Sequence, residues 1–444
     1  MKIQCDISLP ASKSESNRAL MIAAYGGFSP DFQNLSESLD TFVLKEALAK
    51  SFAQPLLDSN RTTLSRNDIK VCAKEDDEPA VHVIPCGGGG HGIYAQQINV
   101  KDCGTATRFL TTFMACREGD WLLTGSERMK QRPISPLVDS LLQLGADIHY
   151  VEKEGFLPLR IAGKAISGGR VSVDMTQSSQ FASSLLLAAP MWQEGLELDL
   201  LGELNSVPYL DMTLAMMRHF GAVVSRIGRQ VMVKPKPYQS RSFAVSADWT
   251  AASYWYEMAA LSEECEIKLR FLSLPKGRLN MQGDAIISDW MKMLGVNTLP
   301  DDDAVILTKN PGGRQSFSFD CSNNPDLFPT MVATCAGLQL AARFTGVANL
   351  HYKESDRVEA MKVELAKIGT DLLRVNDNEV VLKPAVRLPF FEKSSPLRFA
   401  SHGDHRMVMA LAPLALRLGH VVFDRPEVVE KSYPNFWSDA RFLL

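Results

Sequence analysis

With 444 residues, 45% of them hydrophobic and 22% charged, the chain is too long for one ordinary core and too apolar for extended disorder, so two globular domains are expected. Its formal net charge of −4 argues against the broad basic surface of a nonspecific nucleic-acid binder, so any anionic ligand must be held by local clusters. The start MKIQCDISLP has no apolar h-region, and LLLAAPMW (185–192) and MVMALAPLAL (407–416) are far shorter than a membrane span, which predicts a cytoplasmic protein.

The first informative element is LPASKSESNRAL at 9–20, which places Lys13, Ser14, Asn17 and Arg18 within six residues. Two cations and a hydroxyl there suit an anion, although a Lys/Ser-rich run is more often a solvated turn. The stretch 54–97 reads as an elaborated or degenerate structural unit, and its glycine run CGGGGHG at 86–92 lacks the Gly-Lys-Ser/Thr of a P-loop and reads as a flexible surface turn. Next come DCGTATRFL, with Gly104, Thr105 and Arg108, and GSERMKQRP, with Arg128, Lys130 and Arg132. TQSSQF offers Ser178, Ser179 and Gln180 after a strand-like run; its hydroxyls either cap the following helix or bond a ligand. GELNSVPYL supplies Ser206 and Tyr209, LPKGRLNMQGD supplies Lys276 and Arg278, and DCSNNPDLFP supplies Asp326. NLHYKESDR holds Asn349, Lys353, Glu354 and Arg357, SHGDHRM holds Asp404, His405 and Arg406, and PEVVEKSYP holds Lys431. Carboxylates among so many cations are candidates for proton transfer as well as for ion pairing.

These loops recur. Four segments read as an amphipathic helix, a glycine and two short strands, and their glycines, Gly145, Gly221, Gly295 and Gly369, are 76, 74 and 74 residues apart. In the third, Ile287, Trp290, Met291 and Leu294 keep the i, i+3, i+4, i+7 spacing of a one-sided helix. The cationic loops keep the same interval: Arg128, Ser206, Arg278, Lys353 and Lys431 are spaced 78, 72, 75 and 78. A period near 75 predicts about six supersecondary units, either an open solenoid or two closed three-unit domains, and closure is favoured because no unit resembles a polar cap. Equivalent loops then lie at the same end of each domain and converge on one cleft. The eight cysteines form neither a CxxC pair nor a dense framework, which predicts reduced core thiols. His402 and His405 have H-x-x-H spacing but no evident third ligand, so no metal is expected.

Taken in order, LPASKSESNRAL, GTATR, GSERMKQRPI, SSQF, NNPD, KESDR and DHRM resemble the EPSP synthases, the 3-phosphoshikimate 1-carboxyvinyltransferases of the enolpyruvyl transferase family, from end to end of the chain. The resemblance implies an α/β fold of two domains, each of three βαβαββ units in an inside-out barrel. One domain would comprise 1–11 and 246–444, the other 12–245, joined by a two-strand hinge that closes on substrate. It implies transfer of the carboxyvinyl group of phosphoenolpyruvate to the 5-hydroxyl of shikimate 3-phosphate through a tetrahedral adduct, by a monomer without metal, cofactor, nucleic-acid partner or membrane. Carried over position by position, Lys13 touches both substrates. Ser14, Arg18, Ser178, Ser179, Gln180, Ser206, Asn349 and Lys353 hold shikimate 3-phosphate, and Tyr209 is a second contributor to the cleft. Gly104, Arg128, Arg357, Arg406 and Lys431 surround phosphoenolpyruvate, with Gln180 near both and His405 contributing to the cleft. Asp326 would be the base on the hydroxyl and Glu354 the proton donor to the methylene, with Lys13 or Lys353 able to share that path. Gly104 matches the glycine that leaves room for the inhibitor glyphosate.

The chain departs from the family pattern at Ala11, Phe109 and Asp102, where glycine, proline and asparagine are usual. Asp102 is expected to pair with Arg108 or a neighbouring cation, because an unpaired carboxylate would oppose an anionic substrate. Rival readings are a UDP-N-acetylglucosamine enolpyruvyl transferase, for which Cys103 beside Gly104 would be the thiol, an RNA 3'-phosphate cyclase-like enzyme, and a non-enzymatic repeat scaffold. None of them requires this full motif set.

Overall fold

The computed structural model describes residues 1–29, 31–52, 81–84, 93–274, 281–310 and 316–443; the glycine run at 86–92, Cys72, Cys86, Lys276 and Arg278 lie outside the described residues. All four repeat glycines adopt left-handed φ, +87° at Gly145, +88° at Gly221, +89° at Gly295 and +76° at Gly369. At the first, Gly145 N–H donates to Leu142 O and Ala146 N–H to Leu141 O, both at 2.9 Å. This Schellman closure satisfies the last carbonyls of helix Ser135–Gln143 and turns the chain into the hairpin that follows. The same two bonds form at Gly221 and Ala222, and at Gly369 and Thr370.

The unit is complete at residues 169–233. Strand Gly169–Asp174 is followed by helix Gln180–Ala188, and strand Leu196–Leu201 returns parallel to the first. Helix Val207–His219 then leads to the hairpin Val224–Ile227 and Gln230–Val233, whose second strand pairs antiparallel with Leu196–Leu201. The order repeats from Ser316–Asp320 to Glu379–Lys383, and from Ile93–Asn99 to Leu159–Gly163. In a fourth sheet the first strand is Lys2–Ser8, parallel to Glu264–Arg270, so the N-terminus completes a unit whose remaining parts lie beyond residue 248. Two further units are reduced to short parallel pairs, Phe243–Ala244 with Phe32–Gln33 and Leu397–Phe399 with Val421–Phe423.

Each complete unit contains two kinds of helix. Trp249–Leu261 and Phe328–Gly337 are buried at every residue, whereas the helices before the repeat glycines bury one face. Strands such as Leu196–Leu201 alternate buried and exposed side chains, so sheets clothe the outside and apolar helices fill the inside. The result is a two-domain α/β fold with two separate apolar clusters. One gathers Ile3, Ile7 and Leu9 with residues from Ala247 to Leu443; the other runs from Ala11 to Val245. The chain crosses between them twice, side by side: Ser12 N–H donates to Ser246 O at 2.8 Å and Asp248 N–H to Pro10 O at 2.9 Å, flanking a bridge between Ala11 and Ala247.

Candidate active site

Helix starts from both clusters meet at one cleft. Lys13, Ser14 and Arg18 come from Lys13–Gly26, Gly104 and Thr105 from Gly104–Ala115, and Gln180, with Ser178 and Ser179 before it, from Gln180–Ala188. Ser206 and Tyr209 start Val207–His219, Arg357 starts Arg357–Ala366, and His405 and Arg406 start His405–Leu411. Pro325 and Asp326 precede Phe328–Gly337. The first turn of a helix leaves N–H groups without intrahelical acceptors and carries a positive potential, so this convergence favours anions before any side chain is counted.

The side chains reinforce it. Lys13, Arg18, Arg132, Lys353, Arg357 and Arg406 line the cleft against the carboxylates of Asp40, Asp326 and Glu354. Asp326 takes Arg357 Nη1 and Arg406 Nη2, each at 2.7 Å. Burial alone would raise its pKa, but Arg406, Arg357 and Lys353 overcome that and hold it well below the usual carboxylate range. Glu354 meets Arg357 at 3.1 Å, Arg132 at 3.6 Å and Lys431 at 3.8 Å. Burial pushes its pKa up as well, and Arg132, Lys431 and Arg357 bring it well below the ordinary value. Asp40 bonds Lys13 at 2.9 Å and lies 3.6 Å from Lys431. Arg18 has no such partner among the described residues. It is 2% exposed and donates only to Thr213 Oγ1, Ser14 O and Tyr209 O, and burial pushes its pKa down to about 10. Burial likewise lowers Lys353 to about 8, with Arg357 and Arg132 adding to the effect against Asp326 and Glu354. His405 is buried and neither ring nitrogen makes a hydrogen bond among the described residues, Nδ1 lying 3.5 Å from Asp404 Oδ1. Desolvation and then Lys13 and Arg406 hold it well below its ordinary value, so the ring is neutral.

Most residues given a substrate or catalytic role from sequence line this cleft; Arg128, Asn349 and Lys431 do not. Arg128 reaches across from the other cluster to the loop before Arg357, donating to the carbonyls of Glu354, His351 and Lys353 at 2.9, 3.0 and 2.7 Å. Lys431 stands behind Asp40 and Glu354 and donates to Asp102 O at 2.6 Å. Asn349 is buried with its Oδ1 unpartnered, at the start of the turn Leu350–Tyr352. Ser178 Oγ accepts from Gln180 N–H at 3.2 Å, the capping role, while Ser179 makes no capping bond. Gln180 Nε2 donates to Thr105 Oγ1 at 3.1 Å.

Asp102 departs from the expected pairing. Its carboxylate is exposed and accepts the hydroxyl of Ser126, which in turn accepts Met129 N–H, while Arg108 is turned inward onto Gly104 O and Pro133 O. It therefore braces the 126–129 turn rather than neutralising an arginine. Phe109 is buried, with the Arg18 guanidinium 5.6 Å above its ring. His402 bonds Glu364 at 2.9 Å, apart from His405, and the described residues contain no group of three or more side chains suited to a metal. Among the described cysteines none is in a disulfide. Asp40 and Arg132 escaped the sequence reading as site residues. Asp40 sits in the first turn of helix Leu39–Phe52 and shows its role only through Lys13, 27 positions away, and the still more distant Lys431; Arg132 carries a signal, four residues from Arg128 and in the same cationic loop.

This geometry can be set beside known proteins. A family model described as EPSP synthase (3-phosphoshikimate 1-carboxyvinyltransferase) matches residues 1–439. The chain belongs to the EPSP synthase family. A relative from Bacteroides fragilis named 3-phosphoshikimate 1-carboxyvinyltransferase is 38% identical over 441 residues, covering 99% of this chain and 95% of its own length. Another of that name, from a Sulfurovum species, is 32% identical over 438 residues, with 98% and 95% covered. A solved EPSP synthase from Acinetobacter baumannii has the same fold, with TM-score 0.66 at 20% identity, covering 99% of this chain and 95% of that one. In this family member Cys103 Sγ is part of the helix cap, accepting Ala106 N–H at 3.3 Å, and burial pushes the thiol up to about 12. Such a thiol is not poised to ionise.

Proposed function

We propose that this chain transfers the carboxyvinyl group of phosphoenolpyruvate to the 5-hydroxyl of shikimate 3-phosphate, releasing phosphate. The observation that carries the reading is the excess of cations over carboxylates at the meeting of several helix N-termini, with Arg18 buried and lacking a carboxylate among the described residues. Two polyanionic substrates supply the missing charge. Arg18, with the hydroxyls and amide of Ser14, Ser178, Ser179, Gln180, Ser206 and Tyr209, suits shikimate 3-phosphate, with Asn349 and Lys353 completing its set. Gly104, Arg128, Arg132, Arg357, Arg406 and Lys431 suit phosphoenolpyruvate, and Lys13 lies between.

In the reaction, the methylene carbon gains a proton and the neighbouring carbon becomes cationic. The 5-oxygen bonds to it as its own proton passes to Asp326. A methyl proton then returns to the Glu354 carboxylate as the carbon–oxygen bond to phosphate breaks. Glu354, our proton donor, is held ionised in the free cleft by Arg132, Lys431 and Arg357. Phosphoenolpyruvate brings anions to those same cations and so raises the affinity of Glu354 for a proton. Protonation of the donor thereby follows substrate binding, which protects the free enzyme from carrying a mispaired acid.

The reading makes the protein a cytoplasmic monomer using no metal, cofactor, nucleic acid or membrane. It divides the chain into domains 1–11 with 246–444 and 12–245, the paired crossings forming a hinge. The two apolar clusters and the bonds between Ser12 and Ser246 support this division. Release of phosphate from phosphoenolpyruvate, required to depend on shikimate 3-phosphate and to survive a chelator, tests the reaction. Small-angle scattering tests the hinge, with a smaller radius of gyration expected when shikimate 3-phosphate is bound; an unchanged radius at saturation contradicts closure.

A further inference from the structure

Asp284 lies outside the cleft lining and has no role in the reaction as proposed, yet it touches the base through a single atom. It sits on the turn Gly283–Ile286, 3% exposed, and its carboxylate accepts Thr250 Oγ1 at 2.5 Å, Asn324 Nδ2 at 3.0 Å and the Tyr209 hydroxyl at 3.4 Å. The same Tyr209 hydroxyl is 3.2 Å from Asp326 Oδ2. Tyr209 belongs to one apolar cluster's helix and both aspartates to the other half, so this hydroxyl spans the two. The close approach is built in. A Cβ on Gly283 would stand 2.3 Å from Cβ of Pro208, the residue before Tyr209.

A phenol has one proton, so Tyr209 donates to Asp284 or to Asp326, never to both. The two acceptors differ in what else they hold. Asp326 is neutralised by Arg357 and Arg406, whereas among the described residues Asp284 receives only the neutral donors Thr250 and Asn324 besides Tyr209. An ionised carboxylate without a cation is the stronger acceptor, because its charge is compensated by hydrogen bonds alone. We propose that Asp284 is a positioning residue that draws the Tyr209 proton away from Asp326, leaving the lone pair of Asp326 Oδ2 that Arg406 Nη2 does not occupy to receive the proton of the substrate hydroxyl. When Asp284 is itself protonated, Tyr209 turns its proton to Asp326 and blocks that lone pair.

The switch point falls in an accessible range. Burial and then the charge of Asp326 raise Asp284 to about 6, against Thr250, Asn324 and Arg406. The titratable groups bearing on this centre are Asp326 and Cys321 from the loop before Phe328–Gly337, Arg406 from His405–Leu411, and Tyr209 itself, with Lys353 and Arg357 acting on Asp326 and Arg18 on Tyr209. Helix Trp249–Leu261 presents the neutral Thr250, and its capping Asp248 bears on Tyr209. Asp284 is therefore ionised and Asp326 free above about pH 6, and the reverse holds below it.

The inference rests on the proposed reaction, in which Asp326 is the base. Phosphate release at saturating phosphoenolpyruvate and shikimate 3-phosphate is measured from pH 5 to 8.5 for the parent, Asp284→Asn and Tyr209→Phe. The parent kcat should fall below an apparent pKa near 6. Asp284→Asn should lose that acid limb and run about tenfold slower at pH 7.5, with both KM values within about twofold. Tyr209→Phe should also lose the limb, whatever its effect on KM. The substrate phosphates titrate in the same range, so the reading lies in the difference between parent and variants. An acid limb that survives in Asp284→Asn overturns the proposal, as does a variant with raised KM and unchanged kcat, the mark of a merely structural residue. If Asp284→Asn does not fold, the limb in Tyr209→Phe decides alone. A parent that releases no phosphate at any pH sinks the reaction and this inference with it, whereas an active parent with unaltered variants sinks only the role of Asp284.

Discussion

Replacing Arg357 by glutamine tests how far the cleft depends on one guanidinium. Arg357 is 1% exposed and donates from Nε to Asp404 at 3.0 Å, from Nη1 to Asp326 at 2.7 Å and from Nη2 to Glu354 at 3.1 Å. Hydrogen bonds to charged groups contribute about 1.5–3 kcal/mol each, but here they do not add. Arg406 stays on Asp326 at 2.7 Å, and Arg132 and Lys431 stay 3.6 and 3.8 Å from Glu354. Only the fully buried Asp404 loses its arginine. The expected loss is therefore about 3–5 kcal/mol, the cost of breaking one buried pair, rather than the sum of three bonds. Urea unfolding followed by tryptophan fluorescence measures it, since Trp121 and Trp255 are fully buried. The pH dependence has a definite sign. In the parent, Asp326 and Glu354 have folded pKa values well below the unfolded ones, despite burial, because of their cations. Their stabilisation is complete above about pH 4 and is lost only as the pH falls through the folded values. Without Arg357 those folded values rise, so the folded variant binds protons that the parent refuses, and the stability gap narrows as the pH falls through the variant's folded values. A loss below about 1 kcal/mol at pH 7, or a gap that widens on acidification, would refute the reasoning.

Asp326→Ala should lower kcat by about 10² to 10⁴, the usual contribution of a general base, with a much smaller change in KM for phosphoenolpyruvate; a rate within a few-fold of the parent would assign the proton to another group. In Gly104→Ala the new methyl would lie 2.8 Å from Nη1 of both Arg108 and Arg132. Arg108 is pinned to two carbonyls, so Arg132 must give way; KM for phosphoenolpyruvate should rise several-fold and glyphosate inhibition should weaken further still, and equal inhibition of both forms counts against this crowding. Asp102→Asn keeps an acceptor for Ser126 on an exposed side chain, so stability should stay within about 0.5 kcal/mol and KM for phosphoenolpyruvate within about twofold. A several-fold drop in KM would show that its charge reaches the substrate.

The repeat, its glycines and the motif order were legible in the sequence because each is a local matter. A glycine that must enter left-handed φ, a helix with one apolar face and a cationic loop before it are set by neighbours within a few residues, and Gly145, Gly221, Gly295 and Gly369 adopt the conformation their spacing called for. The fully buried helices were not legible in this way, since Trp249–Leu261 and Phe328–Gly337 are covered on every side and have no polar face to betray a period. Ionic state was decided only by the tertiary structure. From sequence, Glu354 is one acid among several cations; packing brings Arg132, Lys431 and Arg357 to within 4 Å and ionises it. Asp102 and Arg108, six positions apart, point in opposite directions, while Lys13 and Asp40, Arg128 and the carbonyl of Glu354, and Asp284 and Tyr209 meet across 27, 226 and 75 positions. Coulomb interactions fall with distance through space and take no account of separation along the chain, so composition and spacing determine which charges this protein owns, and only the closure of two helix-filled domains on each other determines which of them remain for a ligand.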